Sequence, residues 1–169
     1  MTATRSNNYF EDFTVGQTFP HRRGRTFSQD ENARYSLTTM NTAQAHWNFE
    51  VMKDYFGGKF ERPVMNAAIV VAVAVGLTAQ DMTENALYEH GIDKVRIPVP
   101  CFPGDTVVAC SSVLDVIDDG ATHDTGKLKY SIELRNQRGD LVCSLERLVA
   151  LKKRTVWADR DAAFSARMW

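Results

Sequence analysis

The order of patterns along this chain predicts an α+β architecture, with one long helix wrapped by a curved antiparallel sheet. Three observations carry that expectation. Ser28-Gln29-Asp30-Glu31 is a helix-start signature in the first half. Ala67 to Leu77 is apolar or glycine at every position. From Val95 onward, β-rich runs follow one another with turn residues between them. A helix that is apolar all round needs cover on every side, and a sheet curving around it is a layer arrangement that provides this.

The opening segment, Tyr9 to Phe19, mixes aromatic and β-branched residues around Val15-Gly16-Gln17, which suggests a short first strand or loop. Ser28 can accept a hydrogen bond from the Glu31 N–H, and Asp30 and Glu31 suit a first helical turn. The helix is expected over Gln29 to Thr38, with an imperfect apolar stripe of Ala33, Tyr35, Leu37 and Met40. A second short helix is expected from the cap residue Asn48 through Tyr55, stopped by Gly57-Gly58. Pro63 keeps Arg62 extended, and Asn66 then caps the apolar block. Its valines are poor helix formers, and a buried parallel strand is the rival assignment. Length decides for a helix over Ala67 to Gln80, because a strand usually has about 5–6 residues.

Strands are expected where Val95, Ile97 and Val99 alternate, and again over Val107 to Val116. Phe102-Pro103-Gly104-Asp105 has Pro and Gly in type II turn positions. Leu128, Tyr130, Ile132 and Leu134 alternate with polar neighbours, marking a half-buried strand. Asn136 to Asp140 makes a hairpin turn, and Leu141 to Leu151 returns. The tail mixes Trp157, Phe164 and Trp169 with charges and suits a short docking helix. One domain is assigned to 1–154 and a tail to 155–169.

The chain has 169 residues, a net charge of −1, 44% hydrophobic and 24% charged residues. That balance is ordinary for a globular protein and speaks against nucleic-acid or membrane-surface partners. Met1 to Asn8 lacks the hydrophobic run of a signal peptide. The apolar block is shorter than the ~20 residues that cross a bilayer. The expected location is the cytoplasm. Cys101, Cys110 and Cys143 have no metal-ligand spacing and suit small buried positions in a reducing compartment. His21, His90 and His123 have turn or charged neighbours and are expected at the surface.

Several runs, in this order, carry a resemblance to a known family: Met40-Asn41-Thr42-Ala43-Gln44-Ala45-His46-Trp47-Asn48, Pro63-Val64-Met65-Asn66-Ala67, Arg96 to Thr106 with its Pro-Gly-Asp turn, and Asn136-Gln137-Arg138-Gly139. The chain from about Tyr9 to Arg154 resembles the MaoC-like hydratases and dehydratases of the hotdog fold. The resemblance implies hydration of an enoyl thioester, or the reverse dehydration, in a homodimer or higher homo-oligomer with sites near the subunit interface. It implies coenzyme A or a carrier protein as part of the substrate, with no metal and no further cofactor. The Asn-Thr-x-Gln-x-His run points to the subset similar to mesaconyl- or methylmalyl-CoA enzymes, hence to a short branched or dicarboxylic acyl group. His46 matches the family histidine. Asn41 stands where the family has its acid, and Asn48 where it has a second one. The Ala67 backbone N–H occupies the place of the oxyanion donor, where glycine is usual. Asn66, Gln44 and Met65 flank these positions as candidate substrate contacts, and Arg22 and Arg25 are candidates for the phosphates of coenzyme A.

The residue chemistry fits that expectation. A neutral imidazole is a suitable base, its unperturbed pKa of about 6.5 lying near operating pH. Asn41 cannot exchange a proton at neutral pH but can hold water, because its amide both donates and accepts. Free N–H groups at a helix N-terminus favour developing negative charge. Structural roles compete with each assignment: a satisfied histidine, a turn asparagine, a solvated basic run. Two other functions also remain open at this level, a hotdog thioesterase and a non-catalytic acyl-binding or partner subunit. No Asp or Glu stands near Asn41 or on the central helix expected over Ala67 to Gln80, which weighs mildly against the thioesterase.

Overall fold

The computed structural model describes residues 8–120 and 123–168. Five strands form one antiparallel sheet: β1 Thr18–Thr26, β2 Ala86–Arg96, β3 Thr106–Ile117, β4 Thr125–Asn136 and β5 Leu141–Lys152, in the order β1-β3-β4-β5-β2. Among the described residues, four α-helices accompany them: α1 Gln29–Thr38, α2 Phe49–Met52, α3 Ala67–Met82 and α4 Arg154–Met168. The expected layer arrangement is the one found. Ile69, Val70, Val73 and Ala74 of α3 are buried against the inward residues of β3, β4 and β5.

Local chemistry sets the elements. Leu128, Tyr130, Ile132 and Leu134 on β4 are all fully buried, as their period-2 spacing requires. β4 pairs with β5 from Thr125↔Lys152 to Arg135↔Leu141, and with β3 from Val107↔Asn136 to Ile117↔Lys127. Gly126 is required on β4: a Cβ there would lie 2.5 Å from the Phe10 ring. Gly104 has φ +90° in the turn closed by the Asp105 N–H on the Phe102 carbonyl. Ser28 caps α1 by accepting from the Glu31 N–H, and Asn48 caps α2 by accepting from Glu50 and Val51.

Several sequence expectations are corrected. The first strand begins at Thr18 and takes in Arg22, Arg23 and Arg25, with an irregularity between Pro20 and Gly24. β2 begins at Ala86 and ends at Arg96, earlier than the Val95–Val99 alternation suggested, because Pro98 and Pro100 remove ladder donors beyond it. α2 is a single turn, and Tyr55–Gly58 is a separate 3-10 segment in which Phe56 has φ 54°. α1 buries Asn32 and Ser36, whereas Leu37 and Met40 of the expected stripe are exposed. α3 is not covered all round: Ala68, Ala72 and Gly76 lie open along one side. Cys110 is exposed, unlike Cys101 and Cys143. His90 and His123 are at the surface, but His21 is buried. The tail forms α4, held to the body through Tyr9 and Lys152 on Asp161 and through the Arg154 N–H on Glu11. Trp169 and residues 1–7 lie outside the described residues.

Candidate active site

The site forms where α1, the 40–48 segment and the approach to α3 meet. Its keystone is Asn32, fully buried in the middle of α1. Its amide donates to the His46 carbonyl (2.8 Å) and to the Val64 carbonyl (3.0 Å), and its Oδ1 accepts from the Asn66 N–H (2.8 Å). Gln29 Nε2 also donates to the His46 carbonyl, at 3.0 Å. The Val64 N–H donates to the Ala45 carbonyl (3.0 Å), so the two segments lie side by side. One asparagine thereby fixes the histidine segment, the approach to α3 and the first residue of its cap.

His46 is partly buried on a 3-10 turn, Gln44–His46. Its Nδ1 lies 3.0 Å from the Val64 carbonyl. A carbonyl only accepts, so Nδ1 carries the proton and the Nε2 lone pair faces outward. Asn41 faces that lone pair. Its Oδ1 accepts from the Ala43 N–H (3.3 Å), which turns its Nδ2 toward His46 Nε2 at 3.4 Å. Met40, with φ 59°, turns the chain out of α1, and the Asn41 N–H returns to the Ser36 carbonyl at 2.9 Å.

The mouth of α3 completes the arrangement. Asn66 Oδ1 accepts from the Ala68 N–H (3.0 Å), and its amide donates to Ser36 Oγ (3.2 Å). The Ala67 N–H is at the first helical position, has no intrahelical acceptor, and belongs to an exposed residue. Thus hydrogen bonds through Asn32, Ser36 and Val64 tie His46 and Asn41 to Asn66, the cap residue that precedes Ala67.

Other expected contacts are placed differently. Met65 is buried in the core, with its N–H on the Cys101 carbonyl at 2.8 Å. Gln44 accepts from the Asn48 amide at 2.7 Å on the surface. Arg22 and Arg25 lie on β1, and Arg25 pairs with Glu31 at 2.7 Å. Asn32 was missed because a polar residue inside a helix reads as a solvated one. The available signal was its spacing of four from Ser36, the other buried polar residue of α1.

Burial pushes the Cys101 thiol up to about 12, Asp105 adding to the effect, so no thiolate stands beside the site at neutral pH. Cys143 is likewise raised by burial, to about 11. Among the described residues, no three His, Cys, Asp or Glu side chains gather as a metal site. What remains is an imidazole whose outer nitrogen meets only the long contact from the Asn41 amide, and a backbone N–H at a helix mouth.

A family model described as mesaconyl-CoA hydratase matches residues 1–166. A β-methylmalyl-CoA dehydratase of Chloroflexus aurantiacus is 29% identical over 124 residues, covering 73% of this chain and 34% of its own length. A putative MaoC domain protein dehydratase structure from Chloroflexus aurantiacus superposes with a TM-score of 0.80 at 24% identity, covering 89% of this chain and 46% of that one. A Mycobacterium tuberculosis protein with a double hotdog fold superposes with a TM-score of 0.77 at 20% identity, over 88% of this chain and 45% of its own. This chain therefore spans about a third of that relative and under half of those two structures. The hotdog arrangement is the fold found.

Proposed function

Since the chain belongs to the mesaconyl-CoA hydratase family, we propose that it adds water across the double bond of an enoyl-CoA, or removes it from the 3-hydroxyacyl-CoA. The observation that carries this reading is the fixed tautomer of His46, whose Nδ1 proton is committed to the Val64 carbonyl at 3.0 Å. In that tautomer Nε2 carries the lone pair that can accept a proton. Asn41 is exposed and its contact with Nε2 is long at 3.4 Å, so it can swing back to admit water. That water accepts from the Asn41 amide and donates to Nε2. Nε2 takes its proton as the oxygen bonds to the β-carbon, and the π electrons shift to the thioester oxygen. The Ala67 N–H receives that negative charge, aided by the helix terminus. The imidazolium then returns a proton to the α-carbon, and the net change is addition of one water.

Short branched or dicarboxylic acyl groups of the mesaconyl or methylmalyl type are the proposed substrates, as the names of the family and relative suggest. Arg22 and Gln44, exposed on β1 and beside the site, are proposed contacts for the coenzyme A or carrier-protein portion. Assembly with a second copy would use the edge strand β2, which exposes Tyr88 and Ile92. Among the described residues, no helix is long and apolar enough to cross a membrane.

Loss of the enoyl-thioester ultraviolet absorbance provides the assay. His46→Ala is expected to lower kcat/KM by roughly 10²–10⁴-fold, the usual contribution of a positioned acid–base group. Undiminished hydration by that variant would remove His46 from the reaction. Release of free thiol from saturated thioesters, with no hydration, would assign the chain to the thioesterases instead.

A further inference from the structure

The side chains that bond one another at the mouth of α3 are neutral. Asn66 caps the helix, Asn32 and Ser36 bind Asn66, and Asn41 reaches the Ser36 carbonyl through its N–H. The first turn that follows, Ala67-Ala68-Ile69, holds no acid. α1 and α2 differ: Asp30 and Glu31 stand in the first turn of one, and Glu50 in that of the other. A carboxylate in a first turn stabilises a helix, because it faces the positive end of the dipole. Asn and Asp also cap about equally well. Helix stability alone therefore does not select an uncharged mouth.

Burial does not forbid an acid there either. Asp105 is 1% exposed and its carboxyl is held below the usual carboxylate range by donors from Gln137, Arg138 and the Phe102 N–H. Asn66 is 3% exposed, and its Oδ1 already accepts from the Ala68 N–H at 3.0 Å. Its Nδ2 donates to Ser36 Oγ at 3.2 Å, and a hydroxyl can instead turn and donate to a carboxylate. The main change a carboxylate would bring is the field at the next residue. There stands the Ala67 N–H, the donor assigned to the thioester oxygen.

We propose that Asn66 is a positioning residue: its uncharged amide fixes the first turn of α3 while leaving the positive helix end unopposed for the anionic thioester oxygen of the transition state. This rests on the hydratase reading above. It takes Asn66 out of the set of direct substrate contacts, since a residue so buried acts through its neighbours. Oδ1 engages the Ala68 N–H, Asn32 engages the N–H of Asn66 itself, and the Ala67 N–H keeps no intrahelical acceptor. Through Ser36 the same amide ties the helix mouth to Asn41, so one buried side chain links the oxyanion donor to the water-holding amide.

Substituting the cap separates charge from geometry. Asn66→Asp is isosteric and can keep both hydrogen bonds. It should lower kcat for enoyl-CoA hydration roughly 10–100-fold, less than the 10²–10³-fold loss of a whole oxyanion donor. KM should change little, because the opposing charge develops only in the transition state. Asn66→Ser keeps a neutral cap but gives up the amide. It should be the less stable of the two in denaturant and the faster in kcat. Ala68 is exposed one residue further on and offers a comparison that leaves the side chain of Asn66 unaltered. Ala68→Asp should have a lower kcat than the isosteric Ala68→Asn. An Asn66→Asp variant with native kcat overturns the proposal. So does Asn66→Ser slowed as far as Asn66→Asp, which would leave Asn66 a structural cap. Should Asn66→Asp fail to fold, equal kcat for the two Ala68 variants overturns it instead. Absence of hydration by the native protein would sink the hydratase reading and this inference with it, whereas native turnover undiminished by the added carboxylates would sink this inference alone.

Discussion

His46 and His21 both place each ring nitrogen within reach of a protein atom, yet their surroundings suit them to opposite tasks. His21 Nδ1 lies 2.6 Å from Asp81 Oδ2 and Nε2 lies 2.8 Å from Ser111 Oγ. Carboxylate, imidazole and hydroxyl thus stand in the sequence of a hydrolytic triad. Ser111 is fully buried and His21 is 5% exposed, so no acyl carbonyl reaches the hydroxyl. The cluster joins β1, α3 and β3 instead. His46 has poorer partners, a carbonyl on one side and a long amide contact on the other, but its free edge is open. Access and a weakly engaged Nε2 suit His46 to the proposed reaction, while close hydrogen bonds on both nitrogens suit His21 to a structural place.

Single substitutions can break that contrast. The largest expected effect is the loss of hydration in His46→Ala, accompanied by little change in thermal stability because its ring is partly open to solvent. His21→Ala should do the reverse. It strands a buried serine hydroxyl and removes the partner of Asp81, at a cost of about 2–3 kcal/mol. Denaturant unfolding measures that cost, and turnover per folded molecule should stay near the native value. Substantial loss of turnover at full folding would mean that the sealed cluster communicates with the reaction.

The next effect sharpens the boundary between the two roles. Asn32→Asp keeps an acceptor for the Asn66 N–H but replaces an amide that donates to two carbonyls. A carboxylate there faces the His46 and Val64 carbonyls without donors, which should destabilise the fold by roughly 2–4 kcal/mol. At a temperature where the variant remains folded, kcat should fall while KM changes little, because Val64 also fixes the His46 ring. Loss of stability with kcat intact would make Asn32 a core residue and no more.

The same contrast explains what was legible in the sequence. β4 was legible because burial alternates there without exception. α3 was identified by length against the poor propensity of its valines, but its open side was not, since alanine and glycine give no polar signal. β2 was underestimated because an edge strand exposed on much of both faces imposes little pattern. His46 and Asn41 stood in a short local motif. The partners of His21 lie 60 and 90 positions away, and the arginines beside it suggested solvent. The proton on Nδ1 could not be inferred either, because its partner is a backbone carbonyl 18 positions along the chain. Side-chain identity is local information, whereas access and backbone partners are set by the folded sheet.

Asp105 offers the smallest and most specific test of how a sealed polar group behaves. It is buried, and burial alone would raise its pKa, but donors outweigh that effect: Gln137 Nε2 at 2.8 Å, Arg138 Nη1 at 3.0 Å and the Phe102 N–H at 3.0 Å. Its carboxyl is held below the usual carboxylate range. The unfolded chain therefore binds this proton at higher pH than the folded one does. The stabilisation is fully present above the ordinary carboxylate pKa and fades as pH falls through the depressed folded value. Asp105→Asn should lower stability at pH 7 and flatten the acid limb of the stability profile, narrowing its difference from the native protein as pH drops. Carboxylates paired elsewhere, such as Glu146 with Lys94 and Lys129, titrate alike in both proteins, whereas Asp140 shares Arg138 with Asp105 and belongs to the same effect. A difference that stays constant with pH would mean that the turn joining Phe102 to Asp105 depends on hydrogen-bond geometry and not on the charge.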